Sequence, residues 1–402
     1  MESQPNLLTA AEHLQDRTLD LRRRLHRRPE LGLQLPETQA AIMSELEDLE
    51  LDLRTGSSVS SVIGVLEGAH PGPTFLLRGD MDALPLTEDT GLDFSSEIPG
   101  AMHACGHDTH VAMLAGAARL LAARRDEIAG RVLFMFQPGE EGFHGARYML
   151  EEGLLTTVAD APVSGAFALH IDSTFPSGTV HTRGGPFLAS EDRIVITVSG
   201  RGGHASAPHQ ANDPIPAACE IVLALQAMVS RRVDVFDPAV ITIAWISAGT
   251  ADNIIPPAAT LRGTMRTLSA GTRAAVRDHV RRTAAGIAAA HGLSAEVELI
   301  PGYPVTVNDV DVAATVRTVA QGLLGDERVP PMGFPTMGSE DWSYVLDEVP
   351  GAMAFLGACP PDLEPDNSPP NHSNLVIFDE AALPTGVATY AAVALDALSP
   401  PS

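Results

Sequence analysis

Met102-His103-Ala104-Cys105-Gly106-His107-Asp108-Thr109-His110 packs three histidines, a cysteine and an aspartate into nine residues. The run that follows, Thr109 to Arg125, is rich in Ala and Leu and apolar nearly all round, the pattern of a helix buried in an interior. Cys105 and His107 therefore stand on a loop just ahead of a buried helix. A thiolate near a helix N-terminus is stabilised, which favours metal ligation or nucleophilic attack. Two readings compete with a chance cluster: two ligands of a transition-metal site, or a cysteine nucleophile with His107 as its base. Carboxylates accumulate in the neighbouring clusters, which a cysteine hydrolase does not need, and this favours metal.

Two more clusters flank this one. Thr74-Phe75-Leu76-Leu77-Arg78 is nearly all apolar, as a strand buried on both faces requires, and Asp80 and Asp82 follow it. Arg131-Val132-Leu133-Phe134-Met135-Phe136 is a second such strand, and it delivers Glu140 and Glu141. Sites in open α/β sheets are built at the carboxyl ends of strands. Neighbouring side chains of extended chain point to opposite sides, so adjacent glutamates can do different jobs: one binds metal while the other faces a water. Asp82 can accept the free N–H of a ligating histidine and fix its tautomer. Asp80 reads as a turn residue or an ion-pair partner of Arg78, and Asp108 as an N-cap for the following helix. His170 ends a strand over 165–171, and His372 lies in a Pro/Asn-rich loop. Cys105, His107, Glu141, His170 and His372 make five ligand-type residues, too many for one four-coordinate site and suited to a metal pair.

The pattern strand, helix, strand, helix, strand over 62–171 is that of an α/β layer domain. Helices are expected over 7–27, 38–51, 145–152, 310–324 and 381–398. After Gly185 the texture changes to alternating strands and amphipathic helices in the order βαββαβ, a self-contained split unit. The domain reading is therefore 1–186 and 302–402 for one domain, interrupted by an insert over 187–301. Ser269 is a plausible N-cap within that insert.

Length supports two domains, since 402 residues exceed what one core usually holds. The net charge of −25 argues against nucleic acid and anionic membrane as partners. All 26 basic residues are Arg, which excludes a Schiff-base lysine and a phosphate-loop lysine. No apolar run reaches membrane-span length, and Met1–Pro5 carry no leader pattern, so a cytoplasmic location is expected. Three widely spaced cysteines do not make a disulfide framework.

The motifs carry a resemblance. In order they are Leu25-His26-Arg27-Arg28-Pro29-Glu30-Leu31-Gly32, Gly-Asp-Met-Asp-Ala-Leu-Pro (79–85), Met-His-Ala-Cys-Gly-His-Asp (102–108), Gly-Glu-Glu-Gly (139–142), Ala-Leu-His (168–170), Gly-Gly-His-Ala-Ser-Ala-Pro-His (202–209) and Ser-Glu-Asp-Trp (339–342). The full chain resembles the dinuclear metal amidohydrolases related to aminoacylase and glutamate carboxypeptidase. It is most similar to the branch with hippurate hydrolase, N-acetyldiaminopimelate deacetylase and auxin-conjugate hydrolases.

The resemblance implies a zinc-exopeptidase-like α/β/α catalytic domain with an inserted ferredoxin-like lid that also dimerises the chain, as a homodimer or a tetramer. It implies two divalent metal ions per subunit, Zn or Mn first, with Co or Ni also tolerated by the same ligands. Cys105, His107, Glu141, His170 and His372 match the ligands, with Cys105 bridging. Glu140 matches the general base and Asp82 completes the catalytic set. His204 matches an oxyanion-stabilising lid histidine, and Asn253 and Arg266 fall where the lid holds a substrate carboxylate.

The implied reaction is attack of a metal-activated water on the amide of an N-acyl amino acid, such as an N-acetyl, benzoyl or aryl-acetyl conjugate. Gly79 and Gly139 stand where Ala is common, Asn374 where Pro is usual, and Trp342 where Phe is usual; the last would reshape an acyl pocket. The alternatives are a dinuclear dipeptidase or carboxypeptidase sharing every ligand, and a non-catalytic metal-binding scaffold. A spare base beside Glu141 argues against the scaffold.

Overall fold

The computed structural model describes residues 6–157 and 161–400; Met1–Pro5, where no leader was read, lie outside them. The chain forms two compact units. The first comprises Met1–Phe187, Val307–Phe334 and Asp341–Ser402; the second comprises Leu188–Thr306 and Pro335–Glu340.

The first unit is built on a seven-stranded sheet in the order Asp52–Thr55, Val62–Glu67, Ala129–Gln137, His70–Asp80, Val163–Asp172, Gly351–Gly357, Val180–His181. Its four middle strands run parallel, from Ala129–Gln137 to Gly351–Gly357. Parallel strands are covered on both faces and need unbroken apolar runs. Leu76, Leu77, Leu133, Phe134, Phe136 and Phe167 meet that need and are fully buried. The helix His107–Ala122 packs on the Asp80 strand and against the helices Gln15–Arg27 and Leu383–Ala397. Because the middle strands are parallel, their carboxyl ends reach one edge of the sheet. Asp80 pairs in register with Gln137, and Arg78 with Ala168, so Asp80, the Glu140 loop and His170 emerge together.

Several elements differ from the sequence expectation. The helix expected over 7–27 is two, Leu7–His13 and Gln15–Arg27, because the N–H of Leu14 reaches back to Ala11 and Glu12 in a tightened turn. The next helix begins at Pro36, whose fixed φ suits a first turn. The strand Asp52–Thr55 was not expected; its residues are largely exposed and carry no apolar alternation to read.

The second unit holds a four-stranded antiparallel sheet in the order Ala239–Ala248, Ala258–Thr267, Ser190–Ser199, Ser294–Pro301. With the helices Pro214–Arg232 and Ala270–Ala290 its chain order is βαββαβ. Asp213 and Ser269 cap the two helices, each accepting a backbone N–H of the first turn. Alternation in Ser190–Ser199 buries Ile194, Ile196 and Val198 against both helices' apolar stripes. The same face buries Asp192, which Arg273 and Arg277 neutralise from the second helix.

Candidate active site

Asp82 is the anchor of the site. It is buried two residues past the end of its strand, and its two carboxylate oxygens accept the backbone N–H groups of Glu140 at 2.9 Å and Glu141 at 3.1 Å. The loop bearing the two glutamates is thus latched to the adjacent strand end. Its glycine also has a steric reason. Gly139 has φ +71°, a left-handed backbone that strains alanine, and a Cβ there would also meet Leu33 Cδ2 at 2.4 Å.

The Cys105–His107 segment is set by Gly106. Its φ of +86° starts the helix from a left-handed turn, and a Cβ would lie 2.4 Å from Ile171 Cγ2. His107, fully buried in the first turn, donates from Nδ1 to the main-chain carbonyl of Asp82 at 2.8 Å. The histidine-orienting acceptor is therefore the Asp82 carbonyl, not its carboxylate, whose nearer oxygen is 3.6 Å away. His107 Nε2 makes no hydrogen bond and faces Asp80 Oδ2 at 3.4 Å.

His170 donates from Nδ1 to the carbonyl of Ile171 at 2.7 Å, and its Nε2 lies 3.4 Å from Cys105 Sγ. His372 adopts a left-handed φ of +69°, uncommon outside glycine and characteristic of functional sites. Its N–H is held by the carbonyl of Ala104 at 2.8 Å, and its Nε2 reaches Cys105 Sγ at 3.2 Å and Glu141 Oε1 at 3.3 Å.

Within the first unit, ligand-type atoms of the described residues converge in four overlapping groups, each within 4.8 Å: Cys105–His107–His170, Asp80–His107–His110, Cys105–Glu141–His372 and His107–Glu140–Glu141. His107 Nε2 and Glu141 Oε1 are buried and make no well-formed hydrogen bond, facing only Asp80 Oδ2 at 3.4 Å and His372 Nε2 at 3.3 Å, a state that a bound cation would improve. Thiolate, imidazole and carboxylate together suit borderline-soft divalent ions, and the overlap at Cys105 and His107 suits two of them. The residues fit such a pair.

Electrostatics agree. Burial, then the carboxylates of Glu141, Glu140 and Asp80, push the Cys105 thiol well above its ordinary value. The helix N-terminus does not offset this, so the environment disfavours a free nucleophilic thiolate; a bound cation inverts the balance. Burial alone would lower His107, but Asp80, Asp82 and Glu141 outweigh it and raise it to about 10. For His170 burial wins, and its value falls to about 4, which keeps the ring neutral.

The sequence matches Peptidase family M20/M25/M40 over residues 76–396. The chain belongs to that family. A "Thermostable carboxypeptidase 1" of Saccharolobus solfataricus is 37% identical over 98% of this chain and 99% of its own. An "N-acetylcysteine deacetylase" of Bacillus subtilis is 40% identical over 85% of this chain and 88% of its own. Among solved structures, the Bacillus subtilis YXEP protein, described as a dinuclear metal binding peptidase from the M20 family, superposes with a TM-score of 0.83 at 34% identity, covering 96% of this chain and 99% of that one. The family resemblance read from the motifs is borne out, with its α/β fold and its hydrolysis of amide bonds.

Other residues of this M20 chain stand differently from expectation. Asp108 is not the N-cap; Gly106 holds that position. Asp108 lies in the first turn and accepts from His26 Nδ1 at 2.9 Å and from Arg22 at 3.2 Å, both buried partners from a helix over 80 positions earlier. Asp80 does pair with Arg78, at 2.7 Å, and also accepts from His110. Trp342 is fully buried with the Arg78 guanidinium 6.0 Å from its ring, so it is core and not an open pocket wall.

In the second unit, His204 is exposed, and its Nδ1 accepts from Ser206. Asn253 is exposed, and its carbonyl accepts the N–H of Ala205. Arg266 is engaged already, donating to the Met337 carbonyl at 2.8 Å and facing Glu191 at 3.3 Å. Two contributors escaped the sequence reading. Asn371 donates to the carbonyls of Cys105 and Ile171, and its only signal was adjacency to His372. Asp341, which stood in the Ser-Glu-Asp-Trp motif without a role, gathers Arg78, Gln137 and the N–H of Ala146 in a buried convergence.

Proposed function

We propose that the chain hydrolyses the amide bond of N-acyl amino acids, with Cys105, His107, Glu141, His170 and His372 as ligands of two divalent ions, Zn or Mn first. The observation that carries this is Glu140. It is a buried second carboxylate, latched beside Glu141 by Asp82 and grouped with His107. A storage or scaffold site needs no such extra group.

Bound there, the ions would supply Lewis-acid chemistry that brings the pKa of water toward neutrality. Glu140 accepts a proton from the water that attacks the amide carbonyl and returns it to the leaving amine nitrogen. Asp82 holds Glu140 in place throughout. His204 stabilises the oxyanion, from its own subunit or from a second copy. Asn253 and Arg266 hold the amino-acid carboxylate, with Arg266 exchanging Glu191 for it.

The second unit, read from the sequence as an insert over 187–301, then acts as lid and as dimer contact. Supporting the latter, its outer strand Ala239–Ala248 exposes Val240, Trp245 and Ile246. No described helix is long and apolar enough to cross a membrane; a cytoplasmic location remains the proposal.

One of the named relatives supports a second reading. The carboxypeptidase relative matches almost end to end, as an exopeptidase sharing all ligands would. Comparing an N-acetyl amino acid, a benzoyl amino acid and a free dipeptide at equal concentration separates the two. Higher kcat/KM on the acylated amino acids is expected; turnover confined to the dipeptide would replace the first reading by the second.

A further inference from the structure

His110 is fully buried, and both of its ring nitrogens are used. Nε2 faces the backbone N–H of Ile171 at 2.7 Å and so must be the acceptor. The ring proton is therefore on Nδ1, where it is donated to Asp80 Oδ1. His110 lies close to metal-ligand residues, with its ring centroid 4.8 Å from that of His170, yet it has no lone pair left for an ion.

What it grips is a hub. The Ile171 carbonyl accepts from His170 Nδ1 at 2.7 Å and from Asn371 Nδ2 at 2.9 Å. Asn371 in turn donates to the Cys105 carbonyl at 3.2 Å and precedes His372 in the chain. One residue's main chain thus sets the tautomer of His170 and the placement of the loops bearing Cys105 and His372. Only its N–H needed a partner from the Asp80 side, and His110 supplies it.

We propose that His110 is a positioning residue for the metal centre, a neutral imidazole that locks the Ile171 main chain from Asp80 so that His170, Cys105 and His372 converge before metal arrives. The inference rests on the metal reading of those three residues. It assigns the brace to the Nε2 acceptor, which makes it separable by substitution. In His110→Asn the amide reaches the Nδ1 position and keeps a donor for Asp80 while losing the acceptor. In His110→Gln the amide reaches the Nε2 position and keeps an acceptor for Ile171.

The experiment is calorimetric titration of metal-free wild type, His110→Asn and His110→Gln with Mn2+, alongside amide hydrogen exchange of the metal-free wild type. The expected result is Mn2+ affinity about 10–100-fold weaker in His110→Asn, the usual loss for an outer partner of a ligand. His110→Gln should stay much closer to wild type, and the Ile171 amide should exchange slowly without metal. Wild-type affinity in His110→Asn, or an equal loss in both variants, would overturn the proposal. So would fast exchange at Ile171, a test that needs no variant to fold and leaves the metal reading intact. Failure of wild type to bind two Mn2+ would instead remove the metal reading, and the brace's purpose with it.

Discussion

Asp82 and Glu140 are joined by a backbone N–H donated to a buried carboxylate oxygen at 2.9 Å, while the second oxygen takes Glu141. Position of the base thus depends on an aspartate 58 residues earlier. Asp82→Asn turns one acceptor into a donor facing an N–H, so it should behave nearly as badly as Asp82→Ala. Misplacing a reacting group by about 1 Å can cost about 10²-fold, and a fall of that order in kcat is expected for both. Steady-state kinetics with metal content measured on the same samples checks it; unchanged kcat in Asp82→Asn would contradict the latch.

Glu140 should be separable from the ligands. Glu140→Ala is expected to lose about 10²–10⁴-fold in kcat, the span of general acid–base catalysis, while still binding two ions. Loss of metal in proportion to loss of rate would move Glu140 from base to ligand.

Gly106 should resist even the smallest substitution. Gly106→Ala forces a left-handed backbone costing roughly 1–2 kcal/mol. Its Cβ would also press on Ile171 Cγ2 at 2.4 Å, adding about 1–3 kcal/mol of overpacking. Denaturant unfolding of the metal-free protein should show the sum; a midpoint within error of wild type would mean the loop relaxes freely.

A pH effect on stability should come from His26. Burial opposes its charge, but Asp108, then Glu88, outweigh this and Arg22, raising it from 6.5 to about 9. A raised pKa means that the folded state binds the proton more tightly than the unfolded chain. The contribution is therefore complete below pH 6.5 and disappears as pH rises through about 9. Urea midpoints of metal-free protein between those limits should fall for wild type and fall less for His26→Gln. Parallel slopes would assign the effect elsewhere.

The residues around the site were legible because they punctuate buried strands. An apolar run such as Arg131–Phe136 announces a parallel strand, and carboxylates at its end demand a reason. The order βαββαβ was legible from alternation in Ser190–Ser199 and from the long apolar stripes of its helices. What was hidden depends on partners far apart in sequence. Asp108 looked like a cap because caps are local, whereas His26 and Arg22 meet it only after the first helices fold back. Asn371 was hidden for the same reason, since it acts through the main chain of Ile171. Asp82 was chosen for its carboxylate, but its carbonyl orients His107.

The most direct test of metal-dependent amide hydrolysis is release of amino acid from an N-acetyl amino acid by one preparation in three states: as purified, after chelation, and after Mn2+ is added back. The account predicts turnover that chelation abolishes and two Mn2+ per chain restore. Turnover that survives complete metal removal would contradict it.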